Sequence, residues 1–276
     1  MNSIYSVRKI LKEYNIRPSK RFGQNFLIDQ NISRKIIRTS GIDKKDIVVE
    51  IGPGLGALTW ELCRHAGKVI AIEKDKRLLE YLYRSNAFDN LELIDGDILD
   101  YDFSNLHTQS LKIIGNLPYY ISSPILVKLI ENRGIISSIF VTVQKEFAER
   151  LTAGPGSKDY GSISCFLQFY AEPKILFDIH KKAFYPAPEI TSCFLKINIR
   201  RTPLYNTDEV KLFSIIRTCF ENRRKTILNS LSSMEIYGSK DRIAKLVNDV
   251  SISPLQRPET LSLKDFVKLS NTLQPK

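Results

Sequence analysis

A glycine-rich turn, with one acid just before it and two spaced behind it, holds the first residues able to bind a ligand. Glu50-Ile-Gly-Pro-Gly-Leu-Gly-Ala57 follows the short apolar run Asp46–Ile51. Glycines there let backbone come close to a bound molecule at a strand's carboxyl end. Glu73 ends the next apolar run, 21 residues after Gly52, where a carboxylate can accept from two ribose hydroxyls. This pattern alone also describes a nicotinamide dinucleotide site. Two further acids favour S-adenosylmethionine. Glu50 lies inside the strand end, suited to a cofactor that carries an ammonium group, and Asp97, after a third apolar run, is placed to accept from an adenine amino group.

Asn116-Leu117-Pro118-Tyr119 follows a fourth apolar run. An amide oxygen and a backbone carbonyl here can both accept from one NH₂ group, while Pro118 brings no competing N–H. Two directed bonds to an exocyclic amine favour the pyramidal nitrogen that attack on a methyl group requires, and Tyr119 offers a face for a base. Phe184-Tyr-Pro-Ala-Pro188 is a stiff loop whose Phe184 can close the other face of a base taken out of its stack. Basic clusters stand apart from these segments: Arg17, Lys20 and Arg21 before the glycine turn, Arg223-Arg224-Lys225 near a late helix, and Arg257 in a late loop. Such side chains contact phosphates, Arg in bidentate fashion. The other reading of each cluster is a solvated charged face.

The elements that must position these residues alternate. Helix patterns at 3–14, 29–40 (with Asp29 as cap), 57–65 and from Asp75 interleave with apolar, β-branched runs at 46–51, 68–73, 91–94, 111–114 and 138–143, with a helix starting at Ser122 or Ser123. That alternation predicts an α/β fold, a doubly wound parallel sheet covered on both faces. Residues 15–28 read as a loop, as does the glycine-rich 154–161, followed by a helix near 161–171 and strands at 174–179 and 190–199. Beyond Arg201-Thr-Pro203 the pattern is helical, so the expected domains are 1–200, catalytic with a basic N-terminal extension, and 201–276, a small all-helical domain.

Charge agrees with that division. The net charge of +11 comes from an excess of six basic residues in 1–35 and five in 201–276, around a neutral middle. Basic ends flanking a neutral body suit a nucleic-acid partner. No run of 18 apolar residues is present, so no membrane span is expected, and no secretory signal is read at the N-terminus. Cys63, Cys165, Cys193 and Cys219 form no CxxC pair and the three histidines are scattered. The expectation is reduced thiols, no metal and a cytoplasmic protein.

Together the motifs resemble the small-subunit ribosomal RNA adenine dimethyltransferase family. Arg21–Leu27 (RFGQNFL), Glu50–Thr59, Asn116–Tyr119, Gln144–Leu151, Phe184–Pro188, Arg223–Thr226 and Arg257–Glu259 match its motifs in order across nearly the whole chain. The resemblance implies a Rossmann-like, seven-stranded S-adenosylmethionine-dependent methyltransferase domain ending in an antiparallel hairpin, with the helical domain contacting RNA. It implies two methylations of each of two adjacent adenines in the 3′-terminal hairpin loop of 16S rRNA, within the small (30S) subunit, by a monomer that takes part in ribosome biogenesis. It places the cofactor on Asn25, Leu27, Gly52, Glu73, Asp97 and Asn116, the target adenine on Asn116–Tyr119 and Phe184, and RNA on Arg21, Arg223, Arg224, Lys225 and Arg257. Transfer would be direct, without a covalent intermediate. Two positions depart from the pattern: Leu228 where a further Arg is common, and Thr260 where an acid is frequent. The rival readings are a macrolide-resistance-type 23S rRNA adenine methylase, a non-catalytic ribosome assembly factor and, most distantly, a nicotinamide-dependent dehydrogenase.

Overall fold

The computed structural model describes residues 4–18, 23–106, 108 and 110–273. Lys20 and Arg21 lie outside the described residues. By contact clustering the chain forms two compact units. The first comprises 1–148 and 172–199, the second 149–171 and 200–276.

The first unit opens with helix α1 (Ile4–Glu13), a two-residue strand β1 (Phe26–Leu27) and helix α2 (Gln30–Ser40). Asp29 caps α2 as expected, its Oδ1 accepting from the N–H groups of Asn31 (2.8 Å) and Ile32 (3.3 Å). Strands and helices then alternate: β2 (Ile47–Ile51), α3 (Thr59–His65), β3 (Lys68–Glu73), α4 (Lys76–Ser85), β4 (Leu91–Asp95), β5 (Leu111–Asn116), α5 (Ser122–Glu131) and β6 (Ile136–Gln144). The chain passes to the second unit within α6 (Lys145–Thr152), continues through α7 (Ser162–Tyr170), and returns along β7 (Ala171–Ile179), β8 (Phe184–Tyr185) and β9 (Ser192–Ile199).

Seven strands form one sheet in the order β4-β3-β2-β5-β6-β9-β7. The first five are parallel and β9 runs antiparallel to β6. The order reverses at β2: the chain moves outward through β3 and β4, then returns to lay β5 on the other side. A crevice at such a reversal, beyond the carboxyl ends of the strands, is where this class of sheet binds ligands. The central strands need close approach there. A Cβ at Gly115 would sit 2.7 Å from the Ile51 carbonyl oxygen. Gly115→Ala should therefore lower stability by about 1–3 kcal/mol, read as a lower urea midpoint with an unchanged slope.

Three details differ from the sequence reading. Residues 26–27 and 184–185, both expected in loops, pair as an antiparallel ribbon with Phe26 opposite Tyr185 and Leu27 opposite Phe184. Burial of Phe26, Leu27 and Phe184 holds the ribbon against the core. Ser122 does not cap α5 through its side chain. A 3₁₀ turn over 119–121 precedes the helix, and the Ser122 hydroxyl donates to the Pro118 carbonyl (3.1 Å).

The third concerns the expected domain break at 200/201. Residues 149–171 belong with the C-terminal helices, because α7 buries Cys165, Leu167 and Phe169 and packs on α8 (Glu209–Glu221). The segment 154–161, a loop as expected, is tied there. The Gly156 N–H donates to the Glu259 carbonyl (2.7 Å), and Arg223 donates to the carbonyls of Lys158 (2.7 Å) and Tyr160 (3.0 Å). The unit is completed by α9 (Ile227–Leu231), α10 (Lys240–Asp249) and α11 (Leu263–Thr272). Asp208, Thr226, Ser239 and Ser262 cap these four helices through their side chains.

Candidate active site

A cleft of about 1020 Å³, counting its open mouth, lies at the carboxyl ends of β2, β3, β4 and β5. That is ample for a nucleoside-sized ligand. Its floor is the glycine turn. Gly52 and Gly54 have φ of +64° and +58°, a backbone that side chains rarely adopt. The turn is held from the next strand: Glu73 Oε2 accepts from the Gly54 N–H (3.1 Å) and Oε1 from the Asp75 N–H (2.9 Å). Phe26 closes the other side, where a Cβ at Gly54 would come within 3.1 Å of its ring.

The acids here are unusual. Glu50 is fully buried and its Oε2 has no hydrogen-bond partner among the described residues. Burial pushes its carboxyl up to about 8, and the nearby Glu73 adds to the rise. Burial likewise pushes Glu73 up to about 7, against the two backbone N–H groups that favour its charged form. Asp97 differs. Partial burial works against its charge, yet the Lys74 ammonium (2.5 Å) and the Leu99 N–H (3.0 Å) hold it below the usual carboxylate range.

Asn116 ends β5 and lines the same cleft. Its Nδ2 donates to the carbonyl of Asn25 (2.8 Å), 91 residues earlier in the chain. Its Oδ1 is buried and has no partner among the described residues. An amide nitrogen facing one carbonyl leaves its oxygen aimed elsewhere, and a buried acceptor left unpaired is costly unless a ligand satisfies it.

The structure therefore gathers Asn25, Leu27, Gly52, Glu73, Asp97, Asn116 and Pro118 around one hollow. Leu117 is buried, its N–H bonded to the Thr142 carbonyl (3.1 Å), so it serves as support for the tetrapeptide. Tyr119 and Phe184, expected at the target base, are not among the residues that line this cleft in the free chain. The Tyr119 hydroxyl is bonded to Ser192 Oγ (2.7 Å), and Phe184 is 2% exposed, its ring packed among core residues such as Ile36 and Phe194. The ring that does stand at the cleft is Tyr120, 58% exposed. Sequence reasoning passed over it, although a second tyrosine directly after the tetrapeptide was the available signal.

In the second unit, the turn 222–226 joins α8 to α9. The Ile227 N–H donates to the Gln256 carbonyl (2.8 Å) and the Leu228 N–H to the Pro254 carbonyl (3.1 Å). These bonds bring Arg224 and Lys225 alongside Arg257, and all three are exposed. Arg223 is exposed too, with its Nη2 donating to the carbonyls of 158 and 160. The two atypical positions are accommodated here: Leu228 is half-buried beside Pro254, and the Thr260 hydroxyl donates to the Arg257 carbonyl (2.8 Å).

A family model described as ribosomal RNA adenine dimethylase matches residues 15–274. The chain belongs to the ribosomal RNA adenine dimethylase family. A curated relative named ribosomal RNA small subunit methyltransferase A, from Moorella thermoacetica, is 42% identical, with 96% of each chain covered. The crystal structure of a dimethyladenosine transferase from Plasmodium falciparum has a TM-score of 0.73 at 28% identity, covering 87% of this chain and 94% of that one. The 23S rRNA methyltransferase ErmE has a TM-score of 0.69 at 23% identity, covering 90% of this chain and 99% of that one, a likeness of fold alone. As a ribosomal RNA adenine dimethylase the chain is a methyltransferase of α/β fold that uses a methyl donor and acts on ribosomal RNA.

Proposed function

We propose that this chain transfers methyl groups from S-adenosylmethionine to the N6 amines of two adjacent adenines in the 3′-terminal hairpin loop of 16S rRNA, in the context of the small ribosomal subunit. The observation that carries this reading is the Oδ1 of Asn116 at the edge of the cleft, buried and without a partner among the described residues. An acceptor held there in a water-poor site suits an N–H donor of the substrate.

The residues present fit the cofactor. Glu73, at the end of the second strand, suits ribose hydroxyls. Asp97 suits an adenine amine, and the buried Glu50 carboxyl suits the cationic end of the amino acid moiety. When bound, S-adenosylmethionine supplies an electrophilic methyl group on a sulfonium. Asn116 Oδ1 accepts from the target amine and fixes its direction. The glycine turn and Phe26 exclude water from one wall. Positioning of this kind can supply much of a rate enhancement without a covalent step.

Arg224, Lys225 and Arg257 are the proposed phosphate contacts of the helical unit. Replacing all three with Ala should weaken binding to small subunits and reduce the salt dependence by about one unit of slope per lost contact. A filter-binding series across salt concentrations reads this. An unaltered slope would remove these residues from the interface.

The decisive test is labelled-methyl transfer to small subunits lacking the modification, with the modified base mapped by primer extension. Labelling of large-subunit RNA instead would favour the macrolide-resistance-type reading. A variant without transfer that still restored subunit assembly would favour a role as an assembly factor.

A further inference from the structure

A second hollow of about 740 Å³ lies in the same unit, outside the cleft just described. Its walls come from the start of α2, from α3, and from the end of α4 and the turn after it. Trp60 and Phe88 stand in it with their rings 16° from parallel and their centroids 6.3 Å apart. Both rings are half-buried, so each keeps a surface open to the hollow. The Arg64 guanidinium lies 5.8 Å from the Phe88 centroid, and Gln30 and Ser85 add an amide and a hydroxyl to the rim. Arg64 also pairs with Glu61 (2.9 Å), which Arg34 approaches at 3.8 Å, leaving one positive charge in excess.

The indole is not free to turn. It packs on the backbone of Gly56, where a Cβ would run into the ring. Leu27 and Ala57 line both hollows, so the second shares a wall with the cleft. Flat, pre-oriented rings beside a guanidinium are the equipment with which proteins hold unstacked nucleobases. Stacking tolerates any base, and the cation adds attraction for ring and phosphate.

We propose that the hollow formed by Trp60, Phe88 and Arg64 is a stacking subsite for a nucleobase of the RNA strand, separate from the base that enters the cleft. This deepens the proposed function and rests on its RNA substrate. The rings supply the face, Gln30 and Ser85 polar groups for the base edge, and Arg64 and Arg34 the charge for a neighbouring phosphate.

Trp60 is the chain's only tryptophan, so its fluorescence reports on this hollow. The test titrates the full chain with a single-stranded adenine hexaribonucleotide while S-adenosylhomocysteine saturates the cofactor site. The expected result is saturable quenching. Phe88→Ala and Arg64→Glu should each weaken hexamer binding about tenfold or more and leave S-adenosylhomocysteine affinity unchanged. Arg64 is exposed on a helix surface, so its variant keeps the comparison valid if Phe88→Ala unfolds. Absent quenching, or hexamer affinity equal in the wild type and Arg64→Glu, would overturn the subsite while transfer to small subunits continued. No transfer to small subunits at all would overturn the RNA reading, and the subsite with it.

Discussion

Asn116→Ala should lower the rate of methyl transfer by about 10²–10³-fold, the usual cost of removing one preorganised polar group from a reacting centre, and leave cofactor affinity within a few-fold. The basis is the division of labour in that one amide. Its nitrogen is committed to the Asn25 carbonyl, and its oxygen is buried with no donor to accept from among the described residues. An oxygen so placed is satisfied only when an N–H of the substrate arrives, so its energy is released in the complex and not in the free chain. Asn116→Asp is the sharper control. A carboxylate would face the Asn25 carbonyl oxygen with like partial charge, so the isosteric acid should not rescue transfer. Single-turnover assays with small subunits measure the rate, and calorimetry with S-adenosylhomocysteine measures cofactor binding. Undiminished turnover in Asn116→Ala would remove the residue from the chemistry.

The second large effect concerns proton linkage. Glu50 and Glu73 ionise near 4.5 in an unfolded chain but near 8 and 7 in the fold. Between those values the unfolded chain binds fewer protons, so the free protein loses stability as pH rises from about 4.5 to about 8. A ligand that donates hydroxyls to Glu73 and brings a cation to Glu50 favours both charged forms. Cofactor binding should therefore release protons and tighten as pH rises from 6 to 8. Calorimetry at three pH values in two buffers of different ionisation enthalpy measures both. Glu73→Gln should weaken the cofactor roughly 10- to 100-fold, because both Glu73 oxygens accept from backbone N–H groups and an amide NH₂ must oppose one of them. Much of the pH dependence should vanish with it. An affinity flat with pH in the wild-type chain would show that these carboxyls do not change charge on binding.

Much of the first unit was legible because its signals are local and periodic. Parallel strands buried on both faces read as apolar, β-branched runs, and the glycine turn, Glu73, Asp97 and Asn116 each follow such a run. What escaped has no local signal. Two-residue strands carry no periodicity, so the pairing of Phe26–Leu27 with Phe184–Tyr185 depends on burial that only the folded chain reveals. The same burial packs the Phe184 ring into the core beside Leu27. Tyr119 and Tyr120 are adjacent and chemically alike, and only the 3₁₀ turn decides which ring stands at the opening. Residues 149–171 read as part of the first domain because β7 and β9 follow them, yet the apolar side of α7 belongs with α8.

The bond between Asn116 Nδ2 and the Asn25 carbonyl also ties the end of β5 to the segment before β1. The side chain proposed to meet the substrate is held by a segment preceding every strand of the main sheet. A chain clipped ahead of α2 could keep its entire seven-stranded scaffold and still present the wrong atom to an incoming nucleotide.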